Sequence, residues 1–380
     1  MTKVLFVSHT PEPGGAELFL RDMVVGGPAD WRAAFLADGP MAQDLKAAGR
    51  LAGVVQAGAD LLKIRRSGGA SLSAIAAVAK SAAGLARIAR DYDILCANSQ
   101  KALFVCAAAS VISGKPLVWI LHDIITDPAF SSVNRKAAIL VANLRARRVV
   151  VNSNATAEGF RKAGGARPVD LVYNSFAVEA WPERSVEAGA ALRAEFGLDE
   201  RPIAALFGRL TPWKGQDVFL RALQAIPQVQ GLIVGGPLFG EEAFEAELKA
   251  LCAELGLEDR VRFTGFRRDA PTLMAGSEIL VHASTHAEPF GRVIVEGQLS
   301  ALPVIAADAG GVVDIVEDGQ TGLLTRPGDP ASLAAALVRL IEDPALSQRL
   351  SRAGREAAIA RFNLDKGRQD LAKAMIEASA

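Results

Sequence analysis

Two hydrophobic patterns alternate along the chain. The first is a short, almost wholly apolar run: Val4–Val7, Ile94–Ala97, Leu117–Leu121, Val149–Val151 and Val169–Tyr173 in the first half. The second half has Ile203–Phe207, Val229–Val234, Val261–Phe263, Glu278–Ala283 and Leu302–Ala306. Runs of this length without polar alternation read as strands buried on both faces. The other pattern returns an apolar residue every three or four positions, which is helical. It covers Leu18–Val25, Ser71–Arg90, Ser131–Arg148, Ala157–Ala163, Asp217–Ala225, Glu241–Leu255 and Ala270–Ala275. Strand and helix in strict alternation predict a parallel sheet with helices on both faces. The alternation occurs twice, so the fold class is α/β with two doubly wound domains and a cleft at their strand ends. The turn-rich stretch Asn174–Glu200, with Pro182 and a charged Ala-rich helix, reads as the linker. The domains are then 1–178 and 179–360, with helices at Pro330–Glu342 and Ala345–Arg361 and a last helix within 361–380.

A length of 380 residues suits two cores. No apolar run spans a bilayer; the best candidate, Phe104–Leu121, is broken by Gly114-Lys115-Pro116. The N-terminal run is too short for a signal segment. Cys96, Cys106 and Cys252 are scattered without a CxxC, as small buried residues in a reducing compartment would be. His9, His122, His282 and His286 include no HExxH, so no metal site is predicted. The expectation is a cytoplasmic protein with no nucleic-acid partner. Net charge is zero but unevenly spread: residues 1–184 carry 22 Lys+Arg against 15 Asp+Glu, the remainder 20 against 27. The basic half holds Lys63-Ile64-Arg65-Arg66 and Arg145, Arg147 and Arg148. These form a solvated helix end, or they meet an anionic acceptor or the anionic inner face of a membrane.

The chemistry gathers where strands end. Glu278–Ser284 leads through the turn Thr285–Glu288 into a helix from Arg292 to Leu299, and the intervening loop is Glu288-Pro289-Phe290-Gly291. A helix N-terminus offers free N–H groups to an anion. Glu288 and Glu296 flank it, and carboxylates accept from sugar hydroxyls. Phe207–Gly215 follows another strand and carries Arg209 and Lys214, a fork and a point charge suited to a diphosphate. Val234-Gly235-Gly236-Pro237 would let the backbone pass close to a nucleotide. Gly14-Gly15-Ala16-Glu17 is a strand-to-helix loop without the dinucleotide fingerprint GxGxxG. His122-Asp123 ends the Leu117–Leu121 strand. Asp91 and Asp93 enter a strand rather than leave one, so they read as a solvated loop and not a Mg²⁺ site.

Glu288–Glu296 resembles the Glu-x7-Glu motif of the retaining glycosyltransferases of family 4, and Gly208–Gly215 their Gly-Arg-Leu-x3-Lys-Gly segment. The likeness is strongest over residues 203–325. It implies a GT-B fold of two Rossmann-like domains, with the last helix crossing back to the first. It implies that Arg209, Lys214 and the helix start at Phe290, Gly291, Arg292 and Val293 hold a diphosphate, and that Glu288 holds the sugar and Glu296 the ribose. Gly15 and Gly235 would face the donor, Phe266 and Arg267 would seat the base, and His122 would bond a sugar hydroxyl. Arg292 stands where many relatives carry an aliphatic residue, so its guanidinium either adds a phosphate contact or turns to solvent. The implied activity is transfer of a hexose-type sugar from a nucleoside-diphosphate donor to a saccharide or lipid-linked acceptor, with retention and without a metal cofactor. Two alternatives remain at this point. A sugar-nucleotide epimerase or hydrolase would turn over donor without acceptor; a non-catalytic binding protein would be indifferent to loss of Glu288 and Lys214.

Overall fold

The computed structural model describes residues 2–56, 72–128, 130–237 and 241–379. The chain divides into two compact units, residues 1–175 with 364–380, and residues 176–363.

The first unit is built on β1 (Val4–Ser8), β2 (Trp31–Phe35), β3 (Leu51–Val54), β4 (Ile94–Ala97), β5 (Leu117–Leu121), β6 (Ala146–Val151) and β7 (Val169–Leu171). They pair in the order β3-β2-β1-β4-β5-β6-β7, all parallel. Alternate residues of a strand face opposite ways. Leu5 and Val7 of β1 and Leu117, Trp119 and Leu121 of β5 therefore pack under the helices Leu72–Ala89, Gln100–Ser113 and Ser132–Arg145. Val4, Phe6, Val118 and Ile120 join the opposite core, with Phe19 and Met23 of Gly15–Val25 and Leu371 and Met375 of Leu364–Ser379. The last helix is thus a component of the first unit.

The second unit uses β8 (Ile203–Phe207), β9 (Gln230–Val234), β10 (Val261–Gly265), β11 (Ile279–His282), β12 (Val304–Ala307) and β13 (Leu323–Thr325), in the order β10-β9-β8-β11-β12-β13, again all parallel. In both sheets the order reverses once, between β1 and β4 and between β8 and β11. Open α/β sheets bind ligands beyond the strand ends at this reversal. The loops after β1, β4, β8 and β11 are the ones so placed.

Three strands, β2, β3 and β13, were not anticipated. β3 and β13 are short, and β2 is interrupted by Arg32. The helix expected over Ser131–Arg148 stops at Arg145, and β6 starts at once at Ala146, so Arg147 and Arg148 lie on a strand. No Gly or Pro marks that change of period. The segment expected as linker contains the helix Val186–Phe196, which belongs to the second unit: the Ser185 amide donates to Ala275 O, and Arg193 pairs with Glu278 at 2.9 Å. Asp93 Oδ2 accepts from the Lys3 amide at 2.8 Å, which ties the starts of β4 and β1 together.

Candidate active site

In the second unit, β8 and β11 lie side by side, so the loops that leave them meet. The Thr285 amide donates to Trp213 O at 2.8 Å. That junction brings Lys214 onto Glu288: Nζ lies 3.0 and 2.8 Å from the two carboxylate oxygens and 4.3 Å from the Trp213 ring centre. Ser284 Oγ donates to Glu288 Oε2 at 3.0 Å, and His282 Nε2 lies 3.2 Å from the same oxygen and 3.0 Å from Ser284 Oγ. The Lys214 and Glu288 side chains are only 15% and 12% exposed. Burial alone would raise the Glu288 carboxyl, but Lys214 and the His282 bond override it and hold the group well below the usual carboxylate range.

Glu288 is therefore already gripped by a lysine, a hydroxyl and an imidazole. His282 and Ser284 had been given no role. Their signal was available: two polar residues two apart share one side of a strand exit.

After Glu288 the chain turns through Gly291 at φ 101°, a left-handed conformation that suits glycine. The helix Arg292–Leu299 follows with no side-chain cap. Phe290 is buried edge-on against Phe362, 5.7 Å between ring centres, so it offers only its backbone to a ligand. From the other side, the Gly311 amide donates to Glu288 O at 2.7 Å.

Arg292 does not turn to solvent: its side chain is 15% exposed. Its guanidinium lies 4.4 Å from the centre of the Phe176 ring and 3.6 Å from Glu296 Oε1. Val293 and Glu296 lie along the same short helix, both half-buried. Arg209 is half-buried in the β8 loop, where Gln216 Nε2 donates to its carbonyl at 2.8 Å.

Gly235, beyond β9, has φ 145°, and a Cβ there would lie 1.9 Å from Gly208 O. Phe266, beyond β10, is 72% exposed, as a platform for a flat ligand would be. Arg267 bonds Asp269 through Nε and Nη2 at 2.8 and 2.6 Å and pairs with Glu195 through Nη1.

In the first unit, the β1, β4 and β5 exits form a second polar cluster. Gly15 opens the helix Gly15–Val25. Asn98 Nδ2 donates to Ala16 O at 2.9 Å, so Asn98 Oδ1 is the acceptor for His122 Nε2, also at 2.9 Å. That pairing fixes the proton on Nε2. Phe19 packs edge-on against the His122 ring. Buried beside them, Glu17 accepts from Ser8 Oγ at 2.8 Å. Burial pushes its carboxyl up to about 7, with the Ser8 bond opposing and Asp123 adding. Sequence reasoning gave Glu17 no such property, because the burial comes from the helix lying on the sheet.

Among the described residues, no group of three or more His, Cys, Asp or Glu side chains is placed to hold a metal ion, and no helix is long and apolar enough to cross a membrane. Of the cations expected at a membrane, Lys63, Arg65 and Arg66 lie outside the described residues. Arg148 is paired with Asp170 at 2.6 Å and Glu377 at 2.9 Å.

Two doubly wound sheets, each with polar groups at its order reversal, are the arrangement in which open α/β sheets bind ligands beyond their strand ends. A family model described as "Glycosyltransferase Family 4" matches residues 13–179, and one described as "Glycosyl transferases group 1" matches residues 190–357. The crystal structure of Anabaena HepE in complex with UDP-glucose aligns at 36% identity and a TM-score of 0.88, over 99% of this chain and all of that one. The chain belongs to the glycosyltransferases of the GT-B fold, related to those two families. An alpha-D-kanosaminyltransferase of Streptomyces kanamyceticus is 29% identical over 73% of this chain and 74% of its own length. A D-inositol 3-phosphate glycosyltransferase of Streptomyces avermitilis is 37% identical over 45% of this chain, a match that takes in only 39% of that relative's length.

Proposed function

We propose that this protein is a retaining hexosyltransferase that takes its sugar from a uridine diphosphate donor and passes it to a saccharide or lipid-linked acceptor in polysaccharide or glycolipid synthesis. The observation that carries the reading is the Lys214–Glu288 pair set beside the uncapped helix start at Gly291. The cation and the row of amides form an anion site, and the carboxylate beside it is held ionised. The whole-length likeness to HepE, solved with UDP and with UDP-glucose, supports the choice of base and of a glucose-like sugar. Three free, buried cysteines suit a reducing cytoplasm.

In the proposed reaction the bond from the sugar C1 to the phosphate oxygen breaks. Lys214, Arg209 and the amides at Gly291–Val293 take up the charge that grows on the departing diphosphate. A bond from the acceptor oxygen to C1 forms on the same face, and the acceptor proton passes to a phosphate oxygen of the donor. Glu288, kept anionic by Lys214, accepts from sugar hydroxyls, and Glu296 from the ribose. Phe266 stacks on the base. Gly15 would face the donor, and His122 would bond a hydroxyl of its sugar.

The test is a thermal-shift panel of UDP-, GDP- and ADP-sugars. A native-state ligand at a hundred times its Kd stabilises by about 2.7 kcal/mol. UDP and UDP-glucose should raise Tm and the guanine and adenine donors should not. A shift from GDP-sugars alone would overturn the assignment of the base. Product analysis with a labelled donor then reads retention, and turnover of donor without acceptor would point to hydrolysis instead.

A further inference from the structure

The two oxygens of Glu288 are held unequally. Oε2 has three neighbours: Lys214 Nζ at 2.8 Å, Ser284 Oγ at 3.0 Å and His282 Nε2 at 3.2 Å. Among the described residues, Oε1 has only Lys214 Nζ, at 3.0 Å. A carboxylate offers about four lone-pair sites, two to an oxygen. Oε2 is therefore filled, and Oε1 keeps room for a further donor.

The protons around Oε2 follow from the geometry. A bare Nε2 would set its own lone pair against the carboxylate, so His282 Nε2 carries a proton, which Oε2 and Ser284 Oγ share. The other ring nitrogen, Nδ1, is buried with no hydrogen-bond partner among the described residues, so the imidazole has no second polar task. The three side chains are not a nucleophile set. A hydroxyl nucleophile needs an imidazole that meets it with one nitrogen and the carboxylate with the other. Here hydroxyl and carboxylate share Nε2, and Ser284 and His282 are both buried away from any ligand. Glu288 is the member that faces the anion site: its Cγ lies 3.7 Å from where a Cβ on Gly291 would stand.

We propose that His282 and Ser284 are positioning residues for the donor sugar, filling Glu288 Oε2 from the strand side and so turning Oε1 to a sugar hydroxyl. The proposal rests on the reading of Glu288 as the carboxylate that meets the sugar. Lys214 alone would not fix the orientation. The last torsion of a glutamate is soft, and one ammonium shared by both oxygens lets the carboxylate swing. Donors from two further directions remove that freedom. Both come from the same strand exit as Glu288, so the carboxylate stays aimed while Lys214 also meets the diphosphate.

The experiment compares two ligands that differ only in the sugar, UDP and UDP-glucose, by calorimetric titration of the full chain. Ser284→Ala and His282→Leu should each weaken UDP-glucose by roughly tenfold while UDP affinity changes by less than about twofold. His282→Gln, whose amide can still donate to Oε2, should recover most of the loss. Ser284→Ala removes a single oxygen and decides the matter if His282→Leu does not fold. Equal weakening of both ligands would mean that the pair merely holds the loop, and unchanged UDP-glucose affinity would mean that Glu288 aims itself. Either result overturns the proposal. A parent that binds neither ligand would instead sink the proposed function, and this role for His282 and Ser284 with it.

Discussion

Lys214 and Glu288 each solve a problem that the other creates. A carboxylate and an ammonium this far from water are expensive singly, and they survive as a pair bonded at 2.8 and 3.0 Å with Ser284 and His282 adding to the carboxylate side. Replacing Lys214 by Ala should therefore act twice. It leaves Glu288 uncompensated, at a cost of about 3 kcal/mol in stability. In the proposed mechanism it also removes one charge-assisted bond to the leaving diphosphate, which at 1.5–3 kcal/mol means roughly a 10- to 150-fold fall in kcat. Denaturant melts and steady-state kinetics measure the two separately; a stable Lys214→Ala variant with full turnover would remove this residue from the reaction. Glu17 presents the opposite case. Its folded pKa, about 7, lies above its ordinary 4.5, so the folded chain holds a proton that the unfolded chain has released. The sign follows: its stabilising contribution is complete below pH 4.5 and is lost as pH rises through 7, about 3 kcal/mol in all. Glu17→Gln keeps an acceptor for Ser8 and cannot ionise. It should flatten the stability curve over this range and melt above the parent at pH 8. A Glu17→Gln variant that melts lower than the parent at pH 8 would show that Glu17 is not carrying a buried charge there.

At the scale of elements, the site depends on neighbouring strand exits approaching closely. Gly235 is the test of that, because its Cβ would meet Gly208 O at 1.9 Å and would force the β8 and β9 exits apart. Gly235→Ala should cost about 1–3 kcal/mol in stability, from strain and displacement together, and should weaken UDP binding by more than tenfold. Calorimetric titration with UDP checks it; unchanged affinity would mean that the loop tolerates displacement. The same scale shows what could be read from residues alone. Strands buried on both faces, such as Val4–Ser8 and Leu117–Leu121, announce themselves as unbroken apolar runs. Two of the edge strands do not: β3 is Leu-Ala-Gly-Val, half-buried throughout, and β13 is three residues long. The cations after β8 and the acids around β11 were legible as chemistry at strand exits. Their partners were not. Arg267 meets Glu195, 72 positions away, and Lys214 meets Glu288 across 74. Such pairings are set by strand order, which hydrophobic periodicity does not encode.

For the whole molecule, chain order and folding unit differ at one end. The helix Leu364–Ser379 follows the second unit directly yet completes the core of the first, where Leu371 and Met375 are buried with Phe6, Phe19 and Met23. A large side chain of that kind contributes about 1.5–3 kcal/mol by burial, so these two alone supply roughly 5 kcal/mol, comparable with the net stability of a domain. Ending the chain after Asn363 should therefore unfold or aggregate residues 1–175. Residues 176–363 hold Arg209, Lys214, Gly235, Glu288 and Gly291 within their own sheet, and they should keep the thermal shift with UDP. A two-step melt of the parent, resolved by calorimetry with and without UDP, sets the reference: UDP should move one transition, and truncation should abolish the other. Loss of the UDP shift on truncation would mean that the donor site needs residues 1–175 to fold, and the division of labour between the two units would have to be withdrawn.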